Sequence, residues 1–442
     1  MKISENSAET RQGGRKNMAV DFVLENCKIA KPNGIIEASI AINNGRIQKI
    51  ALSDAMPKAE KTINLSEKIV LPGAIDPHVH FREPGLTEKE DFETGSLSAL
   101  FGGVTTVLDM PNTKPFTGSM QDFENKKALA EEKSYIDFSL YFGAMDGNIW
   151  EMKKANPIGY KFYLDHPNIV GYSGLKAAAS SLENKIFAVH AEDPDIMHAN
   201  LKKNSAADPK SHGKIRTAEA ENESVKAILN IEMGSNKLYF CHLSTPSAVK
   251  TVHEAGHFTE LIIPHLFLSR ENSAELGNFA RINPSLKTEE DRLGLWKSLS
   301  LVSTLATDHA PHLISEKEST SPPSGMPGVE TFLPLLIDSV NKGLLDWTDI
   351  ARLCSAGASN IFGLVNKGII EEGKDADLVI VDRKKSWELK TSKLHSKCGW
   401  TPFEGRKLNG KIDSVFFGGK LAIDKGKLLT KPGQGKYIVP ER

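Results

Sequence analysis

The chain has 442 residues, of which 40% are apolar and 25% charged, and its formal net charge is -1. This composition is typical of a globular protein and excludes a disordered chain and a strongly basic nucleic-acid-binding protein. The length favours one large α/β barrel with an accessory domain. No apolar run reaches the roughly 18 residues of a membrane span, so we expect a cytoplasmic protein without a membrane partner. The four cysteines have no CxxC spacing and predict reduced, mostly buried thiols.

Both ends of the chain have the pattern of short β-strands. Residues 18–70 contain alternating runs that begin at Ala19, Ala38 and Arg46, separated by the turn sequences PNG and NNG. Residues 366–442 contain similar runs that begin at Asp377 and Ser414. We therefore predict one small β-sandwich domain assembled from both termini. Residues 1–17 lack the apolar core of a secretory signal and are predicted to be a disordered extension.

Residues 71–365 alternate between strand-like and helix-like segments. Eight apolar runs are strand candidates, and helical patterns such as residues 118–133 and 246–255 lie between most of them. Eight such units predict an α/β fold with a closed (β/α)8 TIM-type barrel. An open doubly wound sheet is the alternative, but no GxGxxG sequence follows the first strand to favour it. The strand candidates are residues 74–76, 104–108, 138–142, 159–164, 186–189, 238–240, 260–263 and 302–306.

Side chains suited to metal binding occur at the ends of the predicted barrel strands. The carboxyl ends of barrel strands meet at one mouth, so residues far apart in sequence become neighbours there. His78 and His80 have the i, i+2 spacing that places both on one side of a strand, and imidazole is a good zinc ligand. Six candidate ligands exceed what one catalytic zinc ion takes, so the sequence predicts two metal ions with a bridging ligand. The six are His78, His80, Lys161, His190, His242 and Asp308.

Each of these residues, taken alone, also fits a structural role. A single buried histidine is more often a hydrogen-bonded core residue than a ligand, Lys161 fits a salt bridge, and Asp308 fits a turn cap. Their joint placement at successive strand ends favours the metal site. An ammonium group cannot bind a cation, but a buried lysine can be neutral. A neutral amine can add carbon dioxide, and the resulting carbamate of Lys161 would be a bridging anion.

The motifs around these residues resemble the dihydroorotase family of the amidohydrolase superfamily, over nearly all of the chain after Met18. In one departure from that pattern, a single histidine, His265, follows Pro264 where many relatives have two, and we interpret it as structural. Residues 165–174 are interpreted as an ordinary loop. The motifs are LPGAIDPHVHFREPG (71–85), GVTTVLDMPNT (103–113), KFYL (161–164), VHAED (189–193), CHLS (241–244), INP (282–284), ATDHAPH (306–312) and GMPGVET (325–331).

The resemblance implies specific roles for the candidate residues. It implies two Zn²⁺ ions per subunit bridged by carboxylated Lys161, with one histidine pair (78 and 80) on the first ion and the other (190 and 242) on the second. Asp308 would bind the first ion and act as general base and then general acid. Arg82 stands two residues after His80, so it should reach the same mouth, where a guanidinium can pair with a carboxylate. The residues implied to hold the substrate are Arg82, Asn112, Asn283 and His312, with the backbone of residues 325–328 near its ring.

The reaction that the resemblance implies is the reversible hydrolysis of (S)-dihydroorotate to N-carbamoyl-L-aspartate by a metal-bridged hydroxide, in pyrimidine biosynthesis. Allantoinase or hydantoinase (dihydropyrimidinase-type) activity is the nearest alternative, because those enzymes share the metal ligands. Arg82 and Asn112 discriminate against it, since hydantoin rings and allantoin lack the carboxylate that they would hold. A non-catalytic partner of aspartate transcarbamoylase is a second alternative, and the six intact ligands argue against it. The implied partners are a small-molecule substrate, a second copy in a homodimer and, as in some relatives, aspartate transcarbamoylase.

Overall fold

The computed structural model describes residues 19–166, 169–204 and 209–441, so the extension predicted for residues 1–17 lies outside the described residues. An eight-stranded parallel sheet follows the order of the chain, and a nine-stranded mixed sheet combines strands from both ends. This arrangement confirms the predicted barrel with a second domain built from both termini. The strands are β1 (Val20–Lys31), β2 (Gly34–Asn43), β3 (Arg46–Ala51), β4 (Ala59–Asn64), β5 (Ile69–Pro72), β6 (Ala74–Val79), β7 (Val104–Asp109), β8 (Asp137–Gly143), β9 (Gly159–Tyr163), β10 (Ile186–His190), β11 (Lys237–Phe240), β12 (Phe258–Ile262), β13 (Thr304–Ala306), β14 (Leu378–Glu388), β15 (Lys407–Phe417), β16 (Lys420–Asp424) and β17 (Lys427–Leu428).

Strands β6 to β13 form the barrel, and all eight lie within a few residues of the predicted positions. Their apolar, often β-branched residues suit strands that are covered on both faces. The barrel closes where Val79 pairs with His309, and the His80 N–H donates to the His309 carbonyl at 2.8 Å. The buried carboxylate of Asp76 reinforces this seam by accepting hydrogen bonds from the backbone N–H and the hydroxyl of Thr307.

Helices alternate with the barrel strands and cover the outside of the barrel. The helix predicted over residues 246–255 is observed at Pro246–Glu254, where the Thr245 side chain accepts a hydrogen bond from the Ala248 N–H and so caps the first turn. Among the described residues, no helix is both long and apolar enough to cross a bilayer. The helices are α1 (Phe92–Phe101), α2 (Met120–Lys133), α3 (Ile149–Lys154), α4 (Tyr172–Ala179), α5 (Pro194–Leu201), α6 (Pro209–Ile215), α7 (Ala218–Leu229), α8 (Pro246–Glu254), α9 (Ile263–Phe267), α10 (Ser273–Leu276), α11 (Glu289–Lys297), α12 (Ile314–Lys317), α13 (Phe332–Asn341), α14 (Trp347–Ala351) and α15 (Gly357–Phe362).

The second sheet joins the two ends of the chain through one strand pair. β1 pairs with β2, β4 and β5, and β5 pairs antiparallel with β14 from the C-terminal part. This sheet encloses an apolar core of its own that includes Ile29, Val70 and Phe416. Strands β4, β5, β16 and β17 were not among the predicted runs. All four cysteines are buried free thiols.

Candidate metal centre and active site

The first group of candidate ligands lies at the carboxyl end of the barrel seam. His78 lies within β6, His80 follows it, and Asp308 comes two residues after the end of β13. Oδ1 of Asp308 lies 2.9 Å from Nε2 of His80 and 3.3 Å from Nε2 of His78. Nitrogen ligands at tetrahedral angles around one zinc ion are about 3.3 Å apart, because each Zn–N bond is about 2.0–2.1 Å long. The three atoms are therefore spaced as ligands of one ion.

The second group lies next to the first, at the ends of β10 and β11. His190 is the last residue of β10, and its Nδ1 lies 3.1 Å from Nε2 of His242. The ring of His242 is 5.2 Å from the ring of His78, centroid to centroid, so the two groups adjoin. Two ion positions side by side fit this placement better than one, as two-metal sites hold their ions about 3.5–4 Å apart.

Hydrogen bonds fix which ring nitrogen each histidine presents. Nδ1 of His78 donates to Glu260 at 2.9 Å, and Nδ1 of His80 donates to Asn112 Oδ1 at 2.6 Å, which leaves Nε2 of both rings for a metal. His190 has the opposite arrangement, because its Nε2 donates to Glu192 at 2.8 Å and its Nδ1 is the nitrogen left for a metal. Outer partners of this kind orient metal-binding imidazoles and select their tautomer.

Lys161 lies at the centre of the site, on β9. Its side chain is fully buried, and its Nζ lies 3.0 Å from the Cys241 sulfur. The hydrogen bonds and ion pairs of the described residues give it neither a carboxylate nor a carbonyl partner, unlike the buried Lys126. It lies close to both groups of candidate ligands, because its charge acts on His78 and on His242. The donor set therefore fits metal binding.

Three further residues belong to the site and were not predicted from the sequence. Glu260 on β12 accepts hydrogen bonds from His78, from the backbone N–H of His242 at 2.7 Å and from the Tyr239 hydroxyl at 2.7 Å. Cys241 contacts Lys161, and the buried hydroxyl of Tyr163 has no hydrogen-bond partner within the described residues. A charged residue inside an apolar strand was the available signal for Glu260, and i, i+2 spacing from Lys161 was the signal for Tyr163.

Burial and neighbouring charges set the protonation of the first group. Burial lowers the pKa of His80 to about 4, so this ring is neutral near pH 7. Burial alone would raise the pKa of Asp308, but His78 and His80 outweigh it and lower that pKa to about 2. Burial would likewise lower the pKa of His78, yet Glu260 and Asp308 raise it to about 10. Metal binding at His78 must therefore release a proton.

Burial and neighbouring charges also set the protonation of the second group. Burial and the neighbouring His190 hold the pKa of His242 well below its usual range, so its ring is neutral near pH 7. Burial alone would raise the pKa of Glu192, but Arg216 and the hydrogen bond from His190 lower it below the usual carboxyl range. Glu192 therefore remains ionised.

Three of the predicted substrate residues lie beside the candidate metal ligands, and one of them, Arg82, is a cation. Arg82 is buried, its Nε donates to the Pro311 carbonyl at 3.1 Å, and its terminal nitrogen lies 3.1 Å from Nε2 of His312. Burial, then Arg82 and Lys89, lower the pKa of His312 to about 2, so that ring is neutral. Asn112 uses its Oδ1 on His80, which leaves its amide NH2 as a donor. These groups together can bind an anion.

Three residues of the site have strained backbone conformations. Arg82, His242 and Asp308 all have left-handed backbone angles, with φ values of 65°, 39° and 48°. Such conformations cost about 1–3 kcal/mol each and persist where the surrounding fold imposes them.

The remaining predicted residues have different surroundings. The Oδ1 atom of Asn283 is buried without a partner in the described part of the chain, so it is available to a ligand. The N–H groups of Gly325 and Gly328 are already used, by the Arg281 carbonyl and by His309, and are not free for a substrate ring. His265 is buried, and its Nε2 contacts the Pro284 carbonyl at 3.0 Å. The loop predicted over residues 165–174 is shorter than expected, because its last three residues begin helix α4, and two of its positions lie outside the described residues.

Comparisons with known proteins identify the family of the chain. The sequence matches the profile of the Amidohydrolase family over residues 69–422. It is 36% identical to a dihydroorotase of Pyrococcus abyssi, over 92% of this chain and 96% of the relative, and 34% identical to a dihydroorotase of Methanothermobacter thermautotrophicus, over 95% and 98%. The structure resembles an L-hydantoinase (dihydropyrimidinase) from Arthrobacter aurescens with a TM-score of 0.91 and 28% identity, over 95% of this chain and 100% of that chain. The chain therefore belongs to the amidohydrolase family and groups with its dihydroorotase members.

Proposed function

We propose that the protein is a metal-dependent dihydroorotase that interconverts (S)-dihydroorotate and N-carbamoyl-L-aspartate. The observation that carries the proposal is the buried Arg82 guanidinium beside His312, directly next to the His80–Asp308 pair. A cyclic amide with a carboxylate substituent would bind Arg82 through that carboxylate and present its ring amide to the metal ligands. The names of the relatives support the same substrate.

The proposed cofactor is a pair of zinc ions. His78, His80 and Asp308 would hold one ion, His190 and His242 the other, and a carbamate on Lys161 would bridge them. When bound, such ions polarise an amide carbonyl and make a water molecule acidic enough to attack near neutral pH. Lys161 is a suitable site for the carbamate because it is fully buried and lacks a carboxylate partner among the described residues.

The chain's own residues bind the substrate and transfer the proton. Arg82, the neutral His312 ring and the free NH2 of Asn112 bind the substrate carboxylate and fix the ring. Asp308, whose pKa is lowered to about 2, accepts a proton from the attacking water. The C–O bond forms, the ring C–N bond breaks, and Asp308 delivers that proton to the leaving nitrogen. Ring closure follows the reverse path.

A hydantoinase or dihydropyrimidinase activity is the second candidate, because the structure superimposes on an L-hydantoinase with a TM-score of 0.91. Hydantoin and dihydrouracil rings lack the carboxylate that Arg82 would bind. Under this alternative, removal of the guanidinium would leave turnover unaffected.

The experiment is a hydrolysis assay of purified, zinc-loaded protein on dihydroorotate, hydantoin, dihydrouracil and allantoin, with zinc content measured on the same sample. We expect dihydroorotate to have the highest kcat/KM by at least about tenfold, the effect of one well-placed charge-assisted pair. A higher kcat/KM for an uncharged ring would contradict the proposal.

Assembly into a homodimer and association with aspartate transcarbamoylase remain predictions. Sedimentation analysis of the protein with and without that enzyme would test both.

A further inference from the structure

A buried arginine stands behind the ligands of the second proposed ion. Arg216 follows helix α6, and one of its terminal nitrogens donates to Glu192 while the other donates to Asp165 Oδ2 at 3.1 Å. The side chains of Glu192 and Asp165 are 0% and 2% exposed. Two buried carboxylates close to each other repel. The Arg216 guanidinium between them offsets this repulsion, because it donates a hydrogen bond to each.

The same two carboxylates hold the imidazole of His190. Its Nε2 donates to Glu192 at 2.8 Å and lies 3.5 Å from Asp165. Its other nitrogen, Nδ1, is thereby left to face His242. The orientation of this ring depends on Glu192, and the position of Glu192 depends in turn on Arg216.

Arg216 is itself anchored from the opposite side. Its backbone carbonyl accepts hydrogen bonds from the Ser285 hydroxyl at 2.7 Å and from the Lys287 ammonium at 3.0 Å. One turn earlier, Nε2 of His212 donates to the Ile282 carbonyl at 2.8 Å. These hydrogen bonds fix the backbone around Arg216 to residues 282–287, so the position of its side chain is defined from both ends.

We propose that Arg216 is a positioning residue for the second metal ion, acting through Glu192 and Asp165 on His190. This inference rests on the proposed function, because it assumes that His190 and His242 hold that ion. The first group, His78, His80 and Asp308, has no contact with Arg216. Loss of the arginine should therefore weaken the second ion selectively.

The test compares zinc binding by Arg216→Met, Arg216→Lys and wild-type protein. Affinities are measured by competition with a chromogenic chelator, and Co²⁺-loaded samples report each site by absorption. We expect Arg216→Met to keep the first ion at wild-type affinity and to bind the second about 10–100-fold more weakly, the usual effect of losing an outer partner of a ligand. At limiting zinc, kcat should fall by the same factor while KM stays unchanged, and saturating zinc should restore kcat.

Arg216→Lys keeps the charge but can reach only one carboxylate, so it should have an intermediate affinity for the second ion. Arg352→Met is the matched control, because Arg352 is also partly buried and hydrogen-bonded but lies near the opposite end of the barrel, bound to the carbonyls of Val302 and Leu299. It should bind both ions as wild type does.

Wild-type affinity for the second ion in Arg216→Met would overturn the proposal, as would equal loss of both ions. If Arg216→Met does not fold, wild-type affinity for the second ion in Arg216→Lys would overturn it. A wild-type protein that binds two zinc ions without hydrolysing dihydroorotate would contradict only the proposed function, since the metal comparison needs no substrate. A wild-type protein that binds no zinc would overturn both.

Discussion

The imidazole of His80 and the carboxylate of Asp308 lie 2.9 Å apart, Nε2 to Oδ1, although 228 positions separate them in the chain. The closure of the barrel between β6 and β13 produces this contact. Asp308 is therefore placed both to share an ion with His80 and to exchange a proton with a substrate at the mouth.

Replacement of Asp308 by asparagine should abolish turnover and leave most of the zinc bound. An amide cannot accept and return a proton, and positioned general acid–base groups contribute about 10²–10⁴-fold to rate. The measurement is kcat for dihydroorotate on samples of known zinc content. Asp382→Asn, in the second sheet, is the control. Normal turnover by zinc-replete Asp308→Asn would rule out the proposed proton transfer.

Replacement of Arg82 by methionine should weaken binding of carboxylate-bearing substrates. Hydrogen bonds to charged groups contribute about 1.5–3 kcal/mol, so KM for dihydroorotate should rise by about 10–100-fold. Steady-state kinetics with dihydroorotate and dihydrouracil give the comparison, and only the former should change. Arg46→Met is the control, because Arg46 forms an exposed ion pair with Asp375 in the second sheet. An unchanged KM for dihydroorotate would show that Arg82 does not bind the carboxylate.

Removal and return of the metal should depend on Lys161. Chelation should inactivate the protein, and zinc should restore activity faster with bicarbonate than in carbon-dioxide-free buffer, because the bridging carbamate must form again. Lys161→Ala should lose activity by about a hundredfold or more, since even the loss of an outer partner costs about 10–100-fold. Recovery is followed by activity and zinc content over time. Equal recovery in both buffers would argue against the carbamate.

Lys367 should stabilise the junction between the barrel and the second sheet. Its ammonium lies 2.7 Å from Asp377 and 3.0 Å from Asp375, and it also contacts Asp137 at the start of β8. Removing one member of a buried ion cluster leaves unpaired charge, so Lys367→Met should lower the free energy of unfolding by about 3–5 kcal/mol. Lys226→Met, which breaks the exposed pair with Glu223 on helix α7, should cost less than about 1 kcal/mol. Urea unfolding of both variants distinguishes these outcomes, and similar losses would contradict the prediction.

The same cluster predicts how stability depends on pH. Burial alone would lower the pKa of Lys367, but Asp377 and Asp137 outweigh it and raise that pKa above its usual value. The stabilisation is therefore complete below the unfolded-state pKa of about 10.4 and is lost as the pH rises beyond it. Urea unfolding between pH 8 and 11 should show a fall in wild type that Lys367→Met lacks. A parallel fall in both proteins would exclude Lys367 as its source.

Local sequence patterns were sufficient to predict the order and type of the main elements. The runs at residues 104–108 and 186–189 are apolar and β-branched, and such runs form buried strands wherever the chain places them. The i, i+2 spacing of His78 and His80, together with the position of Asp308 after the last strand, predicted that these side chains share the mouth. Strands β16 and β17 were missed because they are short, with five and two residues, and have no strong alternating pattern.

The eight-unit barrel, the composite terminal domain and the candidate ligands were predictable from local properties, namely hydrophobic periodicity and the spacing of residues at strand ends. The nitrogen that each histidine leaves free, and the groups that hold each ring, became clear only from the folded chain. The contacts of Glu260 with His78 and His242, and of Arg216 with Glu192 and Asp165, join separate strands and loops. Such partners cannot be recognised from spacing along the sequence, because barrel closure and side-chain packing set their distance from the ligands.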